Sequence, residues 1–146
     1  MVDNNNAWST EYPPVGIHTV KTVEKTWGIQ FPSEYIHFIE KYHGAEPAQR
    51  TLNISGKKVI FSSFLTFIAF DELDILDVYN EQKNNLPPNH FPFAIDVEGN
   101  LFCFNYSHNS QPNIIYIETI NSYNPLGGHL AATDFTAFIQ QFNQTI

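Results

Sequence analysis

After Pro13-Pro14, apolar residues recur at Ile17, Val20, Val23 and Trp27, at spacings of three, three and four that draw one stripe along an α-helix. The prolines suit the start of that helix, whose first-turn amides have no internal partner. Gly28 follows as a left-handed cap. A second helix is expected just after Phe31-Pro32-Ser33, with Ser33 accepting from an orphan amide and Glu34 at the positive end of the dipole. Tyr35, Phe38, Ile39 and Tyr42 form its buried stripe, and Gly44 ends it. Joined by a short link, the two helices read as a packed hairpin.

The period then changes. Leu52–Ser55 and Val59–Phe61 flank Gly56-Lys57-Lys58 as a β-hairpin, and Ser63–Phe67 reads as a further strand. In DELDILDVYNE, Asp71–Glu81, Leu73, Leu76 and Tyr79 are spaced by three, which predicts a helix ended by Leu86-Pro87-Pro88-Asn89. Phe93–Asp96 and Leu101–Tyr106 flank the turn Val97-Glu98-Gly99-Asn100. In the second arm Leu101 and Cys103 point one way and Phe102 and Phe104 the other. Both faces are apolar, so this strand is expected at the centre of a sheet, covered on both sides. Asn113–Glu118 offers another strand, and Thr133 caps a last helix with the stripe Phe135, Phe138, Ile139 and Phe142. Gly127-Gly128 reads as a flexible connection, because no P-loop lysine follows.

The chain has 146 residues, 42% of them hydrophobic and 15% aromatic, including 13 Phe, so it can build one large core. Met1–Tyr12 reads as a loose N-terminal arm and residues 13–146 as a single domain. The net charge is −8, which disfavours nucleic acid, since phosphate contacts need a basic face. The most apolar stretch, Ile60–Phe70, is too short to span a bilayer. No secretory leader is visible, and a cytoplasmic, soluble domain without membrane partners is the expectation.

Candidate chemistry is sparse. Cys103, the single cysteine, excludes an internal disulfide and sits between phenylalanines, where apolar surroundings disfavour a thiolate. His18, His37, His43, His90, His108 and His129 show no metal-ligand spacing. His43, before Gly44, suits a helix end where its ring bonds the last carbonyls. Asp96, Gly99 and Asn100 lack the further acids and closing Glu of a calcium loop and read as a hairpin turn. No nucleophile–base pair emerges, so no catalytic residue, cofactor or metal is expected.

The acidic run stands out. Asp71, Glu72, Asp74, Asp77 and Glu81 place five negative charges in one segment without a base. A solvated helix face is the plain explanation. The sharper one is a patch that meets basic residues on a partner, since complementary charge speeds association. All seven Lys and Arg lie at or before Lys83, and the remainder carries four acids and no base. The candidate partner-binding residues are Asp71, Glu72, Asp74 and Asp77, with Glu98 at the exposed turn.

In order along the chain, Gly28-Ile29, Phe31-Pro32, Glu34-Tyr35, Phe38 and His43-Gly44, then Asp96, Gly99 and Asn100, then the Phe-containing segment Asp134–Phe142, make a pattern. It resembles the SUKH superfamily, which contains bacterial immunity proteins and relatives of a fungal cell-wall-synthesis regulator. The resemblance covers roughly residues 15–142 and departs at Ile114-Ile115-Tyr116, where many relatives carry Trp or a second aromatic. It implies an α+β fold, an antiparallel β-sheet flanked by helices, and a non-enzymatic module that binds a cognate toxin, often a nuclease, and neutralises it by occlusion. No catalytic residues define the family, so the motif positions are expected to be structural. Two alternatives stand beside this: a regulatory or scaffolding domain with a cellular protein partner, and a small-ligand-binding domain.

Overall fold

The structure is a computed structural model and describes residues 8–108, 110–119 and 128–143. Its centre is an antiparallel meander of six strands in sequential order: β3 (Thr51–Ile54), β4 (Lys57–Phe64), β5 (His90–Asp96), β6 (Leu101–Asn105), β7 (Asn113–Ile117) and β8 (Gly128–Ala132). A separate two-stranded ribbon of β1 (Trp8–Ser9) and β2 (Glu46–Pro47) packs against β4. The helices are α1 (Ile17–Trp27), α2 (Ser33–Tyr42), α3 (Ile75–Gln82) and α4 (Phe135–Gln141). The fold is α+β, as expected.

The helix stripes bury in part: Ile17 is exposed, Trp27 and Tyr42 are half-buried, and α3 buries Ile75 and Val78 while the expected Leu73, Leu76 and Tyr79 are half-buried. Val20 and Val23 of α1, Tyr35, Phe38 and Ile39 of α2, and Phe135, Phe138 and Ile139 of α4 are all inside. Gly28 caps α1 at φ 70°, with its amide on the Glu24 carbonyl. Trp27, the last residue of α1, meets Phe31 of the link, rings 5.9 Å apart, whereas α2 packs on α4 rather than closely on α1 as the expected hairpin requires. The core is largely aromatic. Phe93 stacks on Phe104 at 4.2 Å, and Phe102 and Phe104 meet α4 through Phe138 and Phe135. Such pairs contribute about 0.5–1.5 kcal/mol each beyond the area they bury. Strand β6 lies between β5 and β7 with residues 101–104 all buried, the central placement its two apolar faces predict.

Several boundaries differ from the sequence expectation. Ser33 is the first residue of α2 rather than its cap; Pro32 holds the cap position and no side chain bonds there. The hairpin β3–β4 turns at Ser55-Gly56, both at positive φ (52° and 83°), so Ile54 faces Lys57 in a tight two-residue turn. Of the separate strand expected at Ser63–Phe67, Ser63 and Phe64 are the end of β4, which continues through a bulge between Phe61 and Ser63, and Thr66 makes only an isolated bridge to Asp74. Helix α4 is capped by Asp134, whose carboxylate accepts from the Ala137 amide at 2.8 Å, not by Thr133. Gly128 opens strand β8 instead of belonging to a loose connection, and Gly127 lies outside the described residues. Of the arm expected over Met1–Tyr12, residues 1–7 lie outside the described residues. Trp8 is held among Phe38, Phe64 and Phe142, with ring centroids 5.1–5.5 Å away.

The sheet coils until β3 approaches β8. An ion pair fastens its two ends: Lys57 at the start of β4 meets Glu118 at 2.5 Å, and Glu118 also faces His129 of β8 at 3.5 Å.

Candidate partner-binding surface

The acidic segment is not one helix. Chain leaves β4 at Leu65, whose amide bonds the Phe93 carbonyl, and loops through residues 66–74 before α3 begins. Thr66 closes the base of this loop: its amide donates to Leu73 O at 2.8 Å, and its carbonyl accepts from the Ile75 amide at 2.7 Å. Within the loop the Leu73 amide donates to Asp71 Oδ1 at 2.8 Å. Asp74 is the cap of α3, its Oδ2 accepting from the Asp77 amide at 3.3 Å, and it is buried. Burial, partly offset by that amide and reinforced by Asp77 and Asp71, raises the Asp74 carboxyl above its ordinary range.

This corrects the expected site. Asp74 serves the fold and has too little surface to meet a partner. Asp71 is half-buried, while Glu72, Asp77 and Glu81 are exposed. Among the described residues no Lys or Arg forms an ion pair with any of these five acids. Glu98 is exposed at the β5–β6 turn but neighbours Lys57, so its charge belongs to the ion-pair group there.

The base of the loop is braced by a motif from elsewhere in the chain. The ring of buried His43 donates from Nδ1 to Pro13 O at 2.8 Å and accepts at Nε2 from the Phe67 amide at 2.8 Å. Thr10 donates its hydroxyl to the His43 carbonyl. His43 therefore ties the end of α2, the segment before α1 and the acidic loop together, instead of bonding the last carbonyls of its own helix. Gly44 stands at φ 63°, and a Cβ there would lie 2.5 Å from Tyr12 Cδ2. Tyr12 in turn sits beside Asp71; burial first, then Asp71, Glu11 and Glu46, raise its hydroxyl.

The turn motif has a separate task. Asp96 Oδ1 accepts from the amides of Glu98 (2.9 Å) and Asn100 (2.8 Å). Its Oδ2 accepts from Tyr116 Oη at 2.5 Å and Asn100 Nδ2 at 3.3 Å. Four donors fill the lone-pair sites of one carboxylate, so these oxygens are committed to protein groups rather than to an ion. Asn100 Oδ1 accepts from the Thr119 amide at 3.1 Å, which joins the turn to the end of β7. Gly99 at φ 89° makes the turn possible. Tyr116 and Thr119 were not singled out by the sequence: Tyr116 alternates with isoleucines and reads only as a strand aromatic.

Of the remaining motif residues Phe31, Tyr35 and Phe38 are core, while Gly28 is exposed and Pro32 half-buried. Phe31 touches Tyr35, Phe67 and Phe104, and Tyr35 is wholly enclosed. Cys103 is fully buried and its thiol is pushed far up by burial. His90 is buried with Nδ1 2.9 Å from Pro88 O, and burial lowers its ring pKa. No group of three metal-ligating side chains exists among the described residues. A cleft of about 500 Å³ opens between Trp27, Phe91, Tyr106 and Asn89, but the Tyr106 hydroxyl is engaged with Gln30 O at 2.6 Å. No helix among the described residues is long and apolar enough to cross a membrane.

An antiparallel sheet with packed helices, a polar turn committed to structure and an acidic loop at the surface thus define an α+β domain. The family model for the SMI1 / KNR4 family (SUKH-1) matches residues 14–141, and the chain belongs to that family. A search of curated proteins found no match.

Proposed function

We propose that this protein is a non-enzymatic binding module, an immunity protein that neutralises a cognate toxin, a nuclease being one such target, by covering it. SUKH-domain proteins are often immunity proteins and are generally not enzymes. The observation that carries the reading for this chain is the set of exposed acids Glu72, Asp77 and Glu81, without an ion-pair partner among the described residues, on and beside a loop held at its base by His43 and Thr66. Fixed negative charge suits the basic surface with which a nuclease grips phosphate, and such complementarity acts first on the association rate. Cytoplasmic action alongside the toxin's target is part of the same proposal.

Co-expression with the toxin encoded beside this chain's gene is the direct test, with rescue from killing expected. Absence of rescue by well-folded protein favours a scaffolding role instead. Within a rescuing pair, the double reversal Glu72→Lys and Asp77→Lys should slow association about tenfold at low salt and flatten its salt dependence. Both side chains are exposed, so the fold is spared. An unchanged association rate removes the acidic face from the interface.

A further inference from the structure

Twelve of the 13 phenylalanines are buried, and the exception is complete: Phe70 is 99% exposed. It sits at the tip of the loop between β4 and α3 with φ 71°, a left-handed conformation that is an outlier for a bulky side chain. Its backbone is fixed by its neighbours, since the Asp71 amide donates to Ile68 O at 3.1 Å and the Asp74 amide to Asp71 O at 3.1 Å. The ring therefore gains nothing from the core, and the backbone beneath it is strained and held. Aromatic side chains on a preorganised support are the residues that dominate interface energetics when they enter a partner's pocket.

Resting on the proposal of a protein-binding module, we propose that Phe70 is its anchor: the ring seats in an apolar pocket of a partner protein whose rim carries Lys or Arg. The rim chemistry follows from what flanks the ring. Asp71 and Glu72 adjoin it in sequence, and Asp77 follows on α3 with no ion-pair partner among the described residues. A second copy of this chain, at net charge −8, would bring like charges together, which disfavours self-association through this tip.

The test places the photo-crosslinker p-benzoylphenylalanine at position 70, and in separate versions at Val97 or Leu130, the other described sheet and turn apolar side chains with large exposure. Each version is irradiated in cells that make the chain naturally, and the joined protein is identified by mass, purified and titrated against wild type and Phe70→Gly. Glycine fits the left-handed backbone, so this variant should keep or raise the melting temperature. The expected result is a basic protein crosslinked at position 70 whose affinity falls at least tenfold with Phe70→Gly. A smaller fall, an acidic partner or a crosslink between two copies overturns the anchor. Crosslinking of a partner only at 97 or 130 overturns the anchor and leaves the binding-module reading standing. Absence of any crosslinked protein at all three positions removes both.

Discussion

Tyr35 shows how hydroxyl and ring can have opposite consequences at one residue. Its ring is wedged among Phe31, Phe93, Phe104 and Phe135, yet its Oη has no hydrogen-bond partner among the described residues and is fully enclosed. A buried hydroxyl without a partner costs roughly 1–3 kcal/mol. Tyr35→Phe keeps the ring and removes that cost, so the variant should be as stable as wild type or up to about 1 kcal/mol more stable, as read from urea unfolding midpoints. A loss of more than 1 kcal/mol would show that the hydroxyl has a partner after all. The two other buried polar motifs, His43 and Asp96, are satisfied throughout, which is the usual state of enclosed polar groups.

At the scale of elements, what could be read from the chain was what repeats. Helix α4 and the turn between β5 and β6 follow from a phenylalanine stripe and from Asp96-x-x-Gly99-Asn100, both local signals. Strand β8 has no such signal. It is Gly-His-Leu-Ala-Ala, with Gly128 required because a Cβ there would come within 2.2 Å of Ile115 Cγ2, so its small residues reflect its neighbour strand rather than its own period. The acidic segment was legible as charge, but its placement depended on Asp74. Leu73, Leu76 and Tyr79 suggested a helix from Asp71, whereas the signal that fixes the start is an Asp standing immediately before Ile75. The protonation of that cap gives a test. Because the folded state raises the Asp74 carboxyl, it binds the proton more tightly than the unfolded chain does. The associated stability is present below the ordinary carboxyl range and is lost as pH rises through the folded value. Asp74→Asn retains a capping oxygen and does not titrate. Its stability relative to wild type should therefore improve from pH 3 to pH 7 in paired urea titrations, and a decline over that interval would reverse the sign.

Across the whole molecule, the sheet coils so that its two edge strands approach each other. Cys103 lies in the central strand with no exposed surface, and its thiol is held up by burial alone. Only a thiolate reacts quickly, so labelling by an aromatic disulfide reagent should proceed no faster than the molecule opens, and its rate should track urea in parallel with global unfolding. Rapid modification of native protein would mean that β6 is accessible. Phe70, in contrast, could not have been foreseen from the chain: it ends the most apolar stretch in the sequence, Ile60–Phe70, and only the reversal of backbone direction after Ala69 turns it outward. Finally, the imidazole clasp that joins Pro13, α2 and Phe67 makes distant positions interdependent. Alanine at His43 would loosen the loop that carries Phe70. A screen for binding to the proposed partner would then score a wholly enclosed side chain as though it were a point of contact, and only its accompanying loss of heat resistance would expose this as a scaffold defect.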